Sequence, residues 1–120
     1  EMIIVATSAK NDCLYCVVAH GAILRIYAKD SKISNQIATD YTKADITEKQ
    51  KVMLDFAVKT ATNAAKISAT DLEQLRTYGF SENDIWDIGA ITALFALSNR
   101  MASLAAMRPN DEFYTMGRNF

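Results

Sequence analysis

Glycine occurs four times and proline once in 120 residues, too few turn formers to punctuate a sandwich or barrel of many short strands. Cysteine occurs twice, which excludes the disulfide framework of a small secreted domain. No charge sign dominates: thirteen basic and fourteen acidic residues leave a net charge of -1. The basic residues are scattered, which argues against a partner held by a basic face, whether nucleic acid or anionic membrane. A long uninterrupted apolar run is also missing. The richest stretch, Ile85 to Met107, is broken by Asp87, Asn99 and Arg100, so no membrane span is expected. No basic segment followed by an apolar run and a cleavage site is visible, and the expected location is cytoplasmic.

What is present is ordinary globular composition, with 50% apolar and 22% charged residues, enough for one domain with a modest core. The periodicity is helical throughout, and the expected fold class is all-α. Three capping boxes mark helix starts: Thr47 with Gln50, Thr70 with Glu73, and Ser81 with Asp84. The first opens a helix to about Thr62, with Val52, Met53, Phe56, Ala57 and Thr60 on one stripe. The second opens a short helix, Thr70 to Tyr78, stopped by Gly79. The third opens the longest helix, ending near Met107 before Pro109. Its residues Ile85, Ile88, Ile91, Leu94, Phe95 and Leu97 form apolar faces so wide that a subunit interface is expected. Glu1 to Ala9, about Cys13 to Lys29, and Ser34 to Asp40 read as further helices, with a break at Asn11-Asp12 and a solvated turn at Lys29 to Lys32. Asp111 to Met116 reads as a short terminal helix. The chain opens on Glu1 inside a helical pattern, so the expectation is one domain over 1–120 lacking its N-terminal part.

Chemistry concentrates in Asn11-Asp12-Cys13-Leu14-Tyr15-Cys16-Val17-Val18-Ala19-His20. Cys13, Cys16 and His20 stand at i, i+3 and i+7, on one helical face. At a helix start that cysteine spacing also lets two sulfurs close into a disulfide. Asn11 or Asp12 as the cap would leave Cys13 in the first turn, where free N–H groups favour a thiolate. His20 can take the proton from Cys16, directly or through a water. Half-ionising a thiol of ordinary pKa near 8.5 at neutral pH needs a shift of about 1.5 units, or roughly 2 kcal/mol. A helix terminus supplies about 0.3–1 kcal/mol. A nearby base or cation must therefore contribute the rest, and the chain has one histidine.

Other chemistries fit less well. A c-type haem site needs histidine directly after the second cysteine, where Val17 stands. A zinc site would take Cys13, Cys16 and His20 plus Glu1 or Asp12, and no second Cys/His pair supports it. Plain core packing is the bland reading of either cysteine alone. No cofactor and no metal are expected.

Glu1 followed by Cys13-Leu14-Tyr15-Cys16-Val17-Val18-Ala19-His20 resembles the alkylhydroperoxidase AhpD-like branch of the carboxymuconolactone decarboxylase family, its peroxidase-related members above all. That pattern is a Glu, a CxxC twelve residues on, and a His four after the second cysteine. Thr47 to Ala57, Gly79-Phe80-Ser81 and Asn99-Arg100-Met101-Ala102 are similar to later family segments. The resemblance implies an AhpD-like helical domain, with the CxxC at a helix start, assembled as a trimer or hexamer with its site near subunit contacts. It implies a thiol-dependent peroxidase acting on organic hydroperoxides and recycled by an unidentified dithiol reductant. Cys16 would be the peroxidatic cysteine, Cys13 the resolving one, His20 the proton relay and Glu1 its orienter. Tyr15 is an auxiliary candidate, for which packing or gating is the plainer role. The helix dipole favours Cys13 as the nucleophile, whereas the resemblance and the base favour Cys16, and Cys16 is the assignment made. The alternatives are a lactone decarboxylase like the family's namesake, or a non-catalytic oligomer that senses redox state.

Overall fold

The computed structural model describes residues 1–119, and its elements among them are all helical. They are α1 (Met2–Lys10), α2 (Leu14–Ala28), α3 (Ile33–Asp40), α4 (Glu48–Asn63), α5 (Ala69–Thr77) and α6 (Glu82–Leu104), with short 3-10 turns at Tyr41–Lys43, Ala64–Lys66 and Asp111–Tyr114. α1 lies at the centre, packed on α2, α3, α4 and α6. Its run Ile3 to Ser8 is buried all round, as a helix without a polar face requires. Thr7 satisfies its hydroxyl on its own helix, donating to the Ile3 carbonyl at 2.8 Å. Around α1 the core is completed by Leu24, Ile33, Ile37, Leu54, Phe56, Leu75 and Ile88.

The boxes at Thr47 and Ser81 form as expected. The middle one is displaced. Ser68, not Thr70, caps α5, with Asp71 as its reciprocal partner. Both pairs satisfy the hydroxyl-to-acid spacing, but Asp71 also ion-pairs with Lys59 of α4 at 2.7 Å. That pair ties the start of α5 to α4, and the cap follows it. Beyond α5, Gly79 adopts φ +92°, and the Phe80 N–H closes on the Leu75 carbonyl at 3.1 Å, the expected glycine stop.

α6 ends three residues before Met107. Ala106 adopts φ +54°, and the Met107 N–H donates to the Ala102 carbonyl at 2.9 Å. This Schellman closure ends the helix before Pro109 exerts its restriction. The expected terminal helix is reduced to the 3-10 turn Asp111–Tyr114. The segment after it lies across α2. Gly117, at φ +75°, has room only for hydrogen there, since a Cβ would stand 2.8 Å from the Arg25 Cβ.

α6 buries Ile88, Thr92, Asn99 and Ala102 but leaves Leu94, Leu97 and Met101 exposed, with Trp86 80% and Leu104 79% accessible. No helix among the described residues is long and apolar enough to cross a membrane. The displaced cap has a direct test. Ser68→Ala is expected to lower stability in urea denaturation by about 1 kcal/mol, the ordinary cost of an N-cap. Thr70→Ala should change it by less than about 0.5 kcal/mol, as a surface substitution does.

Candidate active site

The site is built on the turn between α1 and α2. Asp12 adopts φ +53°, which removes it from the capping position expected of it. Cys13 caps α2 instead: its backbone is extended, and its Sγ accepts the Cys16 N–H at 3.3 Å. The Cys13 N–H is itself occupied by the Ser8 carbonyl at 3.1 Å. Cys13 therefore stands just outside the first turn, with Cys16 at the third helical position. Both thiols are free and buried, 2% and 4% exposed. Together with Ala102 of α6 they form a small apolar cluster, and Tyr15 packs against it.

One buried polar residue fixes this turn. Asn99 of α6 donates from Nδ2 to the Ser8 Oγ at 2.9 Å and accepts at Oδ1 from the Asn11 Nδ2 at 3.0 Å. In the sequence Asn99 stands out as a break in the apolar run and as part of a family-like segment, not as a site residue. The signal was available: an amide in the midst of an apolar helix must find partners where it is buried.

The cysteines face different spaces. Cys16 lines a cavity of about 520 Å³ with Tyr15, His20, Phe95, Met101 and Ala102. Cys13 lines separate depressions, one toward Ala38 and Thr39 and another toward Ser103 and Ala106. On the first cavity His20 is held at two places. Its Nδ1 is 2.8 Å from the Glu1 Oε2, and its ring meets Phe95 edge-on, with centroids 4.9 Å apart. Nδ1–H donation to the carboxylate leaves Nε2 as the basic nitrogen of the neutral ring. Glu1 makes no capping bond to α1; its carboxylate is committed to His20. Among the described residues no hydrogen bond joins His20 to Cys16, and no three His, Cys, Asp or Glu side chains are grouped to hold a metal ion.

The electrostatics differ from expectation. Burial pushes the Cys16 thiol up to about 11, its contact with the Cys13 side chain adds to this, and the Asn99 amide acts in the opposite direction. The resting thiol is thus neutral, not half-ionised. The reason is physical: desolvation within the Cys13–Cys16–Ala102 cluster outweighs the Asn99 amide and the backbone N–H that favour the anion.

Fold and site together define an all-helical protein with two free cysteines at the start of a helix, one of them its cap, beside a carboxylate–imidazole pair. The same architecture occurs in solved structures. An alkylhydroperoxidase AhpD core protein from Ralstonia eutropha JMP134, described as an uncharacterized peroxidase-related protein, matches with TM-score 0.96 and 59% sequence identity, over 98% of this chain and 62% of that one. An uncharacterized peroxidase-related protein from Silicibacter sp. TM1040 matches with TM-score 0.95 and 43% identity, over 98% of this chain and 61% of that one. The chain is a homologue of these two peroxidase-related proteins, the first of them an AhpD core, and it spans less than two thirds of the length of each. No family model and no curated protein matches it.

The raised thiol has a kinetic signature. With Cys13 replaced by alanine, burial still acts on Cys16, and iodoacetamide modification followed by mass spectrometry should accelerate nearly tenfold per pH unit from pH 7 to 9. A rate that levels off near pH 7 would show instead that the thiolate is already formed at rest.

Proposed function

We propose that the protein is a thiol-dependent peroxidase that reduces organic hydroperoxides through a Cys13–Cys16 dithiol/disulfide cycle. The observation that carries this reading is the shared cavity. Cys16 and His20 line the same space, His20 is oriented by Glu1 at 2.8 Å, and Cys13 lies one turn away with its sulfur on the Cys16 N–H. Homology to peroxidase-related proteins supports the same class of chemistry.

In this reading a hydroperoxide enters the largely apolar cavity, whose walls suit an organic substituent. The thiol proton of Cys16 passes to His20 Nε2, directly or through a water. The sulfur attacks the peroxide oxygen, the O–O bond breaks, and the departing alkoxide takes the proton from the imidazolium and leaves as an alcohol. Cys16 becomes a sulfenic acid. The Cys13 sulfur then attacks the Cys16 sulfur, and the hydroxyl leaves as water with the Cys13 proton, closing the disulfide. A dithiol reductant completes the cycle. At a thiol pKa of about 11, only about one part in ten thousand is thiolate at pH 7. His20 therefore supplies general-base catalysis in the encounter, with Glu1 offsetting the developing imidazolium charge. Tyr15, on the same cavity wall, gates or positions the substrate.

The exposed apolar row of α6, with Met101 on the cavity wall, supports a homo-oligomer in which a neighbouring copy completes the cavity, as a trimer or hexamer. A redox-sensing role without turnover is the second reading. The neutral resting thiol favours it.

Intact-mass analysis of reduced protein after one equivalent of cumene hydroperoxide separates these readings. Wild type should lose two hydrogens, Cys13→Ser should gain one oxygen, and Cys16→Ser should remain unchanged. Wild type unmodified after minutes of excess peroxide would overturn the peroxidase reading. Slow oxidation with a changed oligomeric state would favour the sensor.

A further inference from the structure

To the cavity that Cys16 and His20 share, α6 contributes Phe95, Ser98, Met101, Ala102 and Ala105. Phe95, Ser98 and Ala102 stand at i, i+3 and i+7, on one stripe of the helix. Contacts with α2 fix both ends of that stripe. Phe95 meets the His20 ring edge-on, with centroids 4.9 Å apart, and Ala102 packs with both cysteines. α2 and α6 therefore pass each other here in opposite chain senses. At 1.5 Å per residue, Cys16 and His20 are about 6 Å apart along α2. Along α6, Ser98 falls about 4.5 Å from Phe95 and about 6 Å from Ala102. Ser98 is thereby set opposite the gap between the nucleophile and its base.

Its hydroxyl is available. Serine and threonine within helices commonly return the hydroxyl to the carbonyl four residues back. Thr92 of the same helix does so, donating to the Ile88 carbonyl at 2.8 Å. Ser98 makes no such bond and has no hydrogen-bond partner among the described residues; half-buried, it opens on the cavity. Its α6 neighbours on that wall, Phe95, Met101, Ala102 and Ala105, carry no side-chain donor. Tyr15 carries a hydroxyl as well, but it stands on the helix of Cys16 itself, about 100° round the axis, and packs against the cysteine cluster. Ser98 is the donor that faces the Cys16–His20 pair from across the cavity.

We infer, resting on the peroxidase reading, that Ser98 is a further catalytic residue, donating a hydrogen bond to the alkyl-bearing oxygen of the hydroperoxide as that oxygen departs. The Cys16 sulfur attacks the terminal oxygen, the S–O bond forms, the O–O bond breaks, and two electrons pass from sulfur to the peroxide. Negative charge grows on the alkyl-bearing oxygen. A donor aimed there acts more strongly in the transition state than on the resting peroxide. Ser98 keeps its own proton. The His20 imidazolium delivers the proton taken from Cys16, and the alcohol leaves. Because only the leaving oxygen is served, the benefit is confined to peroxides whose leaving group is strongly basic, an alkoxide and not a carboxylate.

The test compares cumene hydroperoxide, whose leaving group is an alkoxide, with peracetic acid, whose carboxylate departs without a donor. Reduced wild type, Ser98→Ala and Ser98→Thr are mixed with each oxidant, quenched at intervals, and Cys16 oxidation is followed by intact mass. Alanine is the strongest helix former, so Ser98→Ala keeps α6. It should react with cumene hydroperoxide about tenfold more slowly. That is less than the loss of a sole oxyanion donor costs, since the His20 proton still reaches the oxygen. With peracetic acid its rate should change by less than about twofold. Ser98→Thr, which keeps the hydroxyl, should stay near the wild-type rate with both. Equal slowing with both oxidants, or slowing that Ser98→Thr shares, would assign Ser98 a packing role and overturn the inference. No slowing with either would overturn it too. Wild type inert to cumene hydroperoxide would instead overturn the peroxidase reading itself, and the role of Ser98 with it.

Discussion

Asn99 stands in the inward face of α6 and is 1% exposed. Its amide donates to Ser8 at the end of α1 and accepts from Asn11 in the turn, while the Ser8 carbonyl holds the Cys13 N–H. Left unpaired, such a buried amide would cost about 1–3 kcal/mol per group. The network therefore specifies one register of the α1–α2 turn against α6. In that register Cys13 caps α2, Cys16 falls one turn in, and Ala102 closes over both. The central helix α1, buried on every side, carries the same constraint to its other end, where Glu1 meets His20.

The consequence for chemistry is a nucleophile stored in its neutral form. The packing that holds Cys16 also desolvates it and pushes its thiol up to about 11. A protonated buried thiol is protected from adventitious oxidation and alkylation. Reactivity must then come from a base that acts when substrate arrives, and the Glu1–His20 pair borders the same cavity. Asn99 contributes to both effects, fixing the turn and favouring the anion once it forms.

The helical fold was legible because the periodicities are long and the caps explicit: Thr47 with Gln50 and Ser81 with Asp84 appear as read. The middle cap was misplaced since Ser68-Asp71 and Thr70-Glu73 satisfy the same local rule, and only the cross-helix Lys59–Asp71 pair separates them. Of the Glu1, Cys13, Cys16 and His20 spacing, the structure shows Glu1 paired with His20 across nineteen positions and Cys16 on the same cavity as His20. Two features were out of reach. Asp12 takes a left-handed conformation that hands the capping role to Cys13, a residue rarely credited with it. The direction of the Cys16 shift comes first from burial, to which Ala102, more than eighty positions away in sequence, contributes only in the folded chain.

Base catalysis on a neutral thiol predicts a defect that depends on pH, which a purely structural role of His20 would not produce. The measurement is organic hydroperoxide consumption by wild type and His20→Gln between pH 6 and 10, with a saturating thiol reductant. At pH 7 the variant should be slower by about a hundredfold, in the usual range for loss of a general base. That deficit should shrink steadily as rising pH ionises the thiol without help, nearly vanishing as the thiol pKa of about 11 is approached. A deficit that stays constant across the range, or none at pH 7, would contradict activation of Cys16 by the Glu1–His20 pair.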